Sequence, residues 1–76
     1  MRFDVAVHFV ATSGKYRGQI IVRRLLPGSS PIDTVTLILR NEHAEAGPAL
    51  ELAEDYAELL RRDPGRCMAL FDLPFM

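Results

Sequence analysis

One stretch constrains this chain more than any other: Gly47 to Arg62, reading G-P-A-L-E-L-A-E-D-Y-A-E-L-L-R-R. At about 100° per residue, Ala49, Leu50, Leu52, Ala53, Tyr56, Ala57, Leu59 and Leu60 fall on one half of a helix. Glu51, Glu54, Asp55, Glu58, Arg61 and Arg62 fall on the other. The separation predicts a helix lying on an apolar layer. Pro48 suits the first helical position, where its missing N–H is no loss, so Gly47 is expected as the N-cap. A start near Asn41 would place Pro48 inside the helix, at about 3 kcal/mol or a kink. His43 to Ala46 is therefore expected as a turn or a short separate piece. Asp63-Pro64-Gly65 is a stop signal.

The acidic side chains of this helix carry the first candidate site. Glu51, Glu54, Asp55 and Glu58 sit at i, i+3, i+4 and i+7 and form one stripe. The pairs Glu51–Asp55 and Glu54–Glu58 are like charges one turn apart, each unfavourable by roughly 0.2–0.5 kcal/mol. A solvated face explains them: acids lie early in the helix, Arg61 and Arg62 late, as the helix dipole favours. A partner-binding surface explains them as well.

What precedes the helix reads as strands. Phe3 to Ala11 alternates, with Phe3, Val5, Val7 and Phe9 on one face and Asp4, Ala6, His8 and Val10 on the other. Thr12-Ser13-Gly14 is a tight turn. Lys15 to Leu26 alternates less strictly; the doublets Ile20-Ile21, Arg23-Arg24 and Leu25-Leu26 suggest a bulge or the strand's exit. Pro27 to Pro31 is a loop. Ile32 to Arg40 is a third strand rich in strand formers. After the helix, the apolar run from Cys67 to Phe71 is expected as a fourth strand, and Asp72 to Met76 as a tail covering the end of the core.

The expected fold is α+β in two layers, β-β-β-α-β, with a mainly antiparallel four-stranded sheet and one helix on one face. A right-handed crossover would lay the last strand beside the first, giving sheet order 3-2-1-4. The helix would cover Phe3, Val5, Val7, Phe9, Ile20, Val22, Val35, Leu37 and Leu39. The uncovered face would carry His8, Val10, Arg17, Gln19, Ile21, Arg23, Thr34, Thr36, Ile38 and Arg40. Antiparallel sheets tolerate one wet face. Val10, Arg17, Ile21, Arg23, Ile38 and Arg40 nevertheless make it a candidate surface for a second copy, another partner or nucleic acid.

Length and charge narrow the rest. The 76 residues make one domain with a thin core, yet 49% of them are hydrophobic, so some apolar side chains are expected outside the core and a homodimer is a live reading. The net charge of −1 hides an asymmetry. Residues 1–40 hold six basic and two acidic side chains; residues 41–76 hold three and eight. Arginine outnumbers lysine eight to one, a usage that points to a GC-rich bacterial or phage source. The single cysteine, Cys67, rules out an internal disulfide and fits a reducing compartment. No leader-like segment or membrane-length apolar run stands out, so a cytoplasmic protein is expected, with no membrane partner.

Motifs for chemistry are weak. His43-Ala44-Glu45 matches H-x-E, but the deaminase pattern needs two nearby cysteines. With two histidines and one cysteine, a zinc site within one chain is not expected. Ser13-Gly14-Lys15 lacks the earlier glycine and following helix of a phosphate-binding loop. Cys67 with His8 or His43 has no spacing signature of a nucleophile and its base. No catalytic residue, metal or cofactor is therefore expected. Arg17, Arg23, Arg24 and Arg40 could contact phosphate. A base-stacking sheet needs outward aromatics, whereas Phe3, Phe9 and Tyr16 point inward, so nucleic-acid binding is the second reading.

In outline the whole chain resembles the small phage-encoded anti-CRISPR proteins that inhibit type I CRISPR effector complexes. The likeness lies in short length, a βββα-type domain, the lack of a catalytic motif and an acidic helix face. It implies inhibition by binding, often by blocking a basic surface that holds nucleic acid, in the bacterial host cytosol. It carries over no functional residues. From their spacing alone, Glu51, Glu54, Asp55 and Glu58 are the expected partner-binding patch.

Overall fold

The computed structural model describes residues 2–25 and 33–71. Its elements are β1 (Arg2–Thr12), β2 (Lys15–Leu25), β3 (Asp33–Ile38), α1 (Ala46–Arg62) and α2 (Pro64–Phe71). The architecture is α+β, with a three-stranded antiparallel sheet in the order β1-β2-β3. The loop expected at 27–31 and the tail expected at 72–76 lie outside the described residues.

β1 and β2 form a hairpin because Thr12-Ser13-Gly14-Lys15 closes on two residues. Ser13 and Gly14 both take positive φ, 52° and 74°. Such a turn matches the right-handed twist of the strands it joins. The register pairs Val5 with Val22 and Val7 with Ile20, and β3 adds Leu37 to Ile20 and Val35 to Val22. These residues share the face that the helices cover. Ile20 and Val22, on the central strand, are fully buried.

The predicted fourth strand is a helix. Asp63 ends α1, its N–H donating to Leu60 O at 3.2 Å, and it also begins α2. Arg66 N–H donates to Asp63 O at 3.0 Å and to Asp63 Oδ1 at 3.3 Å. Pro64 takes the first helical position, where proline loses no bond. Cys67, Leu70 and Phe71 then recur at helical spacing and join the core cluster. The stop signal was therefore also a start signal, and the order 3-2-1-4 does not form.

The start of α1 is corrected by two residues. Ala46 is the first helical residue and Glu45 the N-cap, rather than Gly47. Pro48 still falls in the first turn, where its absent N–H had no partner to lose. His43 stands before the helix, bridged to Tyr16 by two backbone bonds of 2.8 Å.

α1 packs on β1 and β2. Its contact ridge is Ala49, Ala53 and Ala57, all fully buried. Gly18, buried on β2, lets that ridge approach. A Cβ there would lie 2.7 Å from Ala49 O and 2.8 Å from Ala53 Cβ. Small residues on both elements thus make the contact, with the larger residues of the apolar half set to its sides. The consequence is that Tyr56 and Leu59, counted on the apolar half, are 49% and 52% exposed.

Candidate functional site: the outer side of the first helix

Glu51, Glu54, Asp55 and Glu58 all lie exposed on α1, as their spacing predicts. They are not equivalent. Arg61 ion-pairs with Glu54 and stands 3.4 Å from Glu58, and Arg62 reaches Glu58 at 3.5 Å. The Glu54 hydrogen bond also raises the Arg61 pKa. Arg61 Nη2 further donates to Val5 O on β1 at 3.0 Å, which ties α1 to the strand beneath. Glu51 and Asp55 have no ion pair among the described residues. Half of the stripe is internally compensated and half is free.

The free half has apolar neighbours. Stepping about 100° per residue from Asp55 brings Leu59, Leu52 and Tyr56 into one continuous flank. Leu52 is half-buried, while Tyr56 and Leu59 are exposed. This flank turns away from Arg61 and so from the β1 edge. The sequence pattern marked the carboxylates but missed the apolar half of the patch, because Tyr56 and Leu59 read as core. The signal that would have found it is the run Ala49, Ala53, Ala57. Three alanines at i, i+4 and i+8 make a smooth ridge for close packing, which leaves larger residues beside it uncovered.

The uncovered face of the sheet is also largely as expected. The register places His8, Val10, Arg17, Gln19, Ile21, Arg23, Thr34, Thr36 and Ile38 together on it. Val10 and Ile21 are half-buried there, and Ile38 is 52% exposed. Arg40 lies beyond the end of β3 and is exposed. Leu39 bonds to Gly18 and His43 to Tyr16, so Arg17 alone faces Arg40, Asn41 and Glu42. This three-against-one bulge follows β3 and puts Glu42, 3.6 Å away, against Arg17. Arg24 leaves the phosphate-binding set. It lies on the helix side, ion-paired with Asp33, with its guanidinium 4.8 Å from the centre of the Phe71 ring.

No family model, curated protein or solved structure matches this chain.

The remaining candidate chemistry is dispersed. Cys67 is buried, and its thiol donates to Leu60 O at 3.2 Å. Burial, and then the nearby Asp63 charge, push its pKa up, the direction opposite to an activated thiol. His8 lies on the far face of the sheet, and His43 pairs with the other end of β2. Among the described residues, no three His, Cys, Asp or Glu side chains gather closely enough to hold a metal ion. No described helix is long and apolar enough to cross a membrane.

Proposed function

We propose that this chain is a small protein that acts by binding alone. It docks a basic macromolecular partner against the outer side of α1 and inhibits the partner by occupying that surface. One observation supports the reading: the uncompensated carboxylates of Glu51 and Asp55 stand beside the exposed Tyr56 and Leu59. Carboxylates complement the Arg and Lys side chains that otherwise hold phosphate. A tyrosine beside them adds rigid, amphipathic contact area, the kind of residue that anchors interfaces. Glu54 and Glu58 contribute less, since Arg61 and Arg62 already neutralise them.

The specific form of this proposal is an anti-CRISPR that acts on a type I CRISPR effector complex in the bacterial cytosol. The test is a titration of the purified chain into such a complex, with target-DNA loading as the readout. The wild-type chain blocks loading. Glu51→Lys with Asp55→Lys, and separately Tyr56→Ala, relieve the block. A chain that leaves loading untouched removes the anti-CRISPR form, and variants that inhibit as well as wild type remove the α1 surface. A second reading rests on Arg2, Lys15 and Arg23, which face the uncovered side of the sheet without an ion pair among the described residues. If they hold phosphate, a gel shift with DNA or RNA appears at low salt and fades steeply as salt rises.

A further inference from the structure

The two edges of the sheet are not alike. In an antiparallel ladder, residues alternate between pairing with the neighbour and pointing their N–H and C=O outward. Leu39 N–H donates to Gly18 O at 2.9 Å. Counting back along β3, Leu37 and Val35 bond to β2, while Thr34, Thr36 and Ile38 present their backbone groups to the free edge. The same count on β1 turns Phe3, Val5, Val7 and Phe9 outward, in agreement with the Arg61 bond to Val5 O. The β1 edge is thus guarded by a charged side chain. Among the described residues the β3 edge has no backbone partner and no guard.

Natural sheets usually blunt such an edge with Lys, Pro, a bulge or an inward charge. Between Asp33, whose carboxylate pairs with Arg24 on the helix side, and the bulge that begins at Arg40, the stretch T-V-T-L-I from Thr34 to Ile38 carries none of these. We infer that β3 pairs with β3 of a second copy, antiparallel about a two-fold axis at Thr36, so that two sheets join into one of six strands.

The strand is complementary to itself in that register. Thr36 faces Thr36 of the second copy, and Thr34 faces Ile38 on both sides of the axis. Each of these pairs exchanges two backbone bonds, about six in all. On the helix-covered face Val35 meets Leu37, continuing the apolar layer. On the other face Ile38, 52% exposed in one chain, gains the methyl of a threonine. No charge opposes a like charge between Thr34 and Ile38. A partner strand of another protein would need the same uncharged alternation, which this chain supplies by itself.

Sedimentation of the full chain from about 1 μM to about 1 mM tests the pairing, because weak symmetric contacts dissociate in that range. The expected result is a reversible monomer–dimer equilibrium. Two variants interrupt it. Thr36→Lys sets two ammonium groups against each other at the axis. Thr36→Pro removes an outward N–H while the ladder bonds of Val35 and Leu37 to β2 remain. Each raises the dimer dissociation constant about tenfold or more, with an unchanged circular-dichroism spectrum as the check on folding. If the proline variant unfolds, the lysine variant decides. A wild-type chain that stays monomeric throughout, or a dimer as tight in the folded variants, overturns the inference.

Discussion

Gly18→Ala is the perturbation that probes the packing of α1 most severely. The added methyl would lie 2.7 Å from Ala49 O, a backbone atom, 2.8 Å from Ala53 Cβ and 3.1 Å from Leu39 Cδ1. Ordinary carbon contacts are about 3.5–4.0 Å, so α1 must lift by most of an ångström or tilt. Overpacking of this kind costs about 1–3 kcal/mol. The substitution also restricts the unfolded chain, which returns about 0.4–1 kcal/mol. A net loss of about 1–2 kcal/mol is expected, from a domain whose total is roughly 4–11 kcal/mol by its length. Urea unfolding followed by far-UV circular dichroism should show the midpoint falling by about 1 M. Gly47→Ala is the matched control. Nothing lies within 4 Å of its added Cβ, and the position is helical, so stability should hold or rise by up to about 0.5 kcal/mol. If Gly18→Ala leaves the midpoint unchanged or raises it, α1 does not sit on β2 as described.

Two further substitutions follow from part-buried polar contacts. Arg24→Lys keeps the charge but loses the planar fork that joins Asp33, the Met68 sulfur and the Phe71 ring; thermal unfolding should register about 1 kcal/mol of lost stability. Cys67 gives a pH dependence. Its thiol pKa is higher folded than unfolded, so the folded state holds the proton more tightly. Its contribution is fully present below the ordinary thiol value of about 8.5 and is lost as pH rises through the folded value. Between neutral and strongly alkaline pH, the wild-type urea midpoint should therefore fall further than that of Cys67→Ala. Equal slopes would count against the burial of the thiol.

Legibility in the sequence divided along physical lines. Strict alternation placed β1 and β3 and the residues of the uncovered face, because a period of two leaves each side chain only two directions. The turn at Ser13-Gly14 was equally plain. The helix at 64–71 was missed because a short apolar run has no decisive period. The Asp63-Pro64 pair, a capping acid before a proline suited to the first turn, was the better guide there. The end of β3 at Ile38, two residues short of Arg40, was not legible because nothing in R-N-E-H announces a bulge. The orientation of α1 was legible only to within a flank. Hydrophobicity grouped Tyr56 and Leu59 with the core, but the meeting of Gly18 with Ala49 and Ala53 fixes the rotation, and that contact joins residues more than thirty positions apart. The acidic stripe itself was found; its partial neutralisation runs along the same helix, from Arg61 and Arg62 to Glu54 and Glu58, while the bond from Arg61 to Val5 O on β1 was not legible.

Which side of α1 meets solvent is decided where Gly18 touches Ala53, and an NMR cross-relaxation experiment reads that contact directly. Strong transfer from the Gly18 α-protons to the Ala53 methyl, with none from them to Tyr56 or Leu59, is the predicted result. Strong transfer from Gly18 to the Tyr56 ring or the Leu59 methyls would mean that α1 is rotated, with the patch proposed for the partner turned inward.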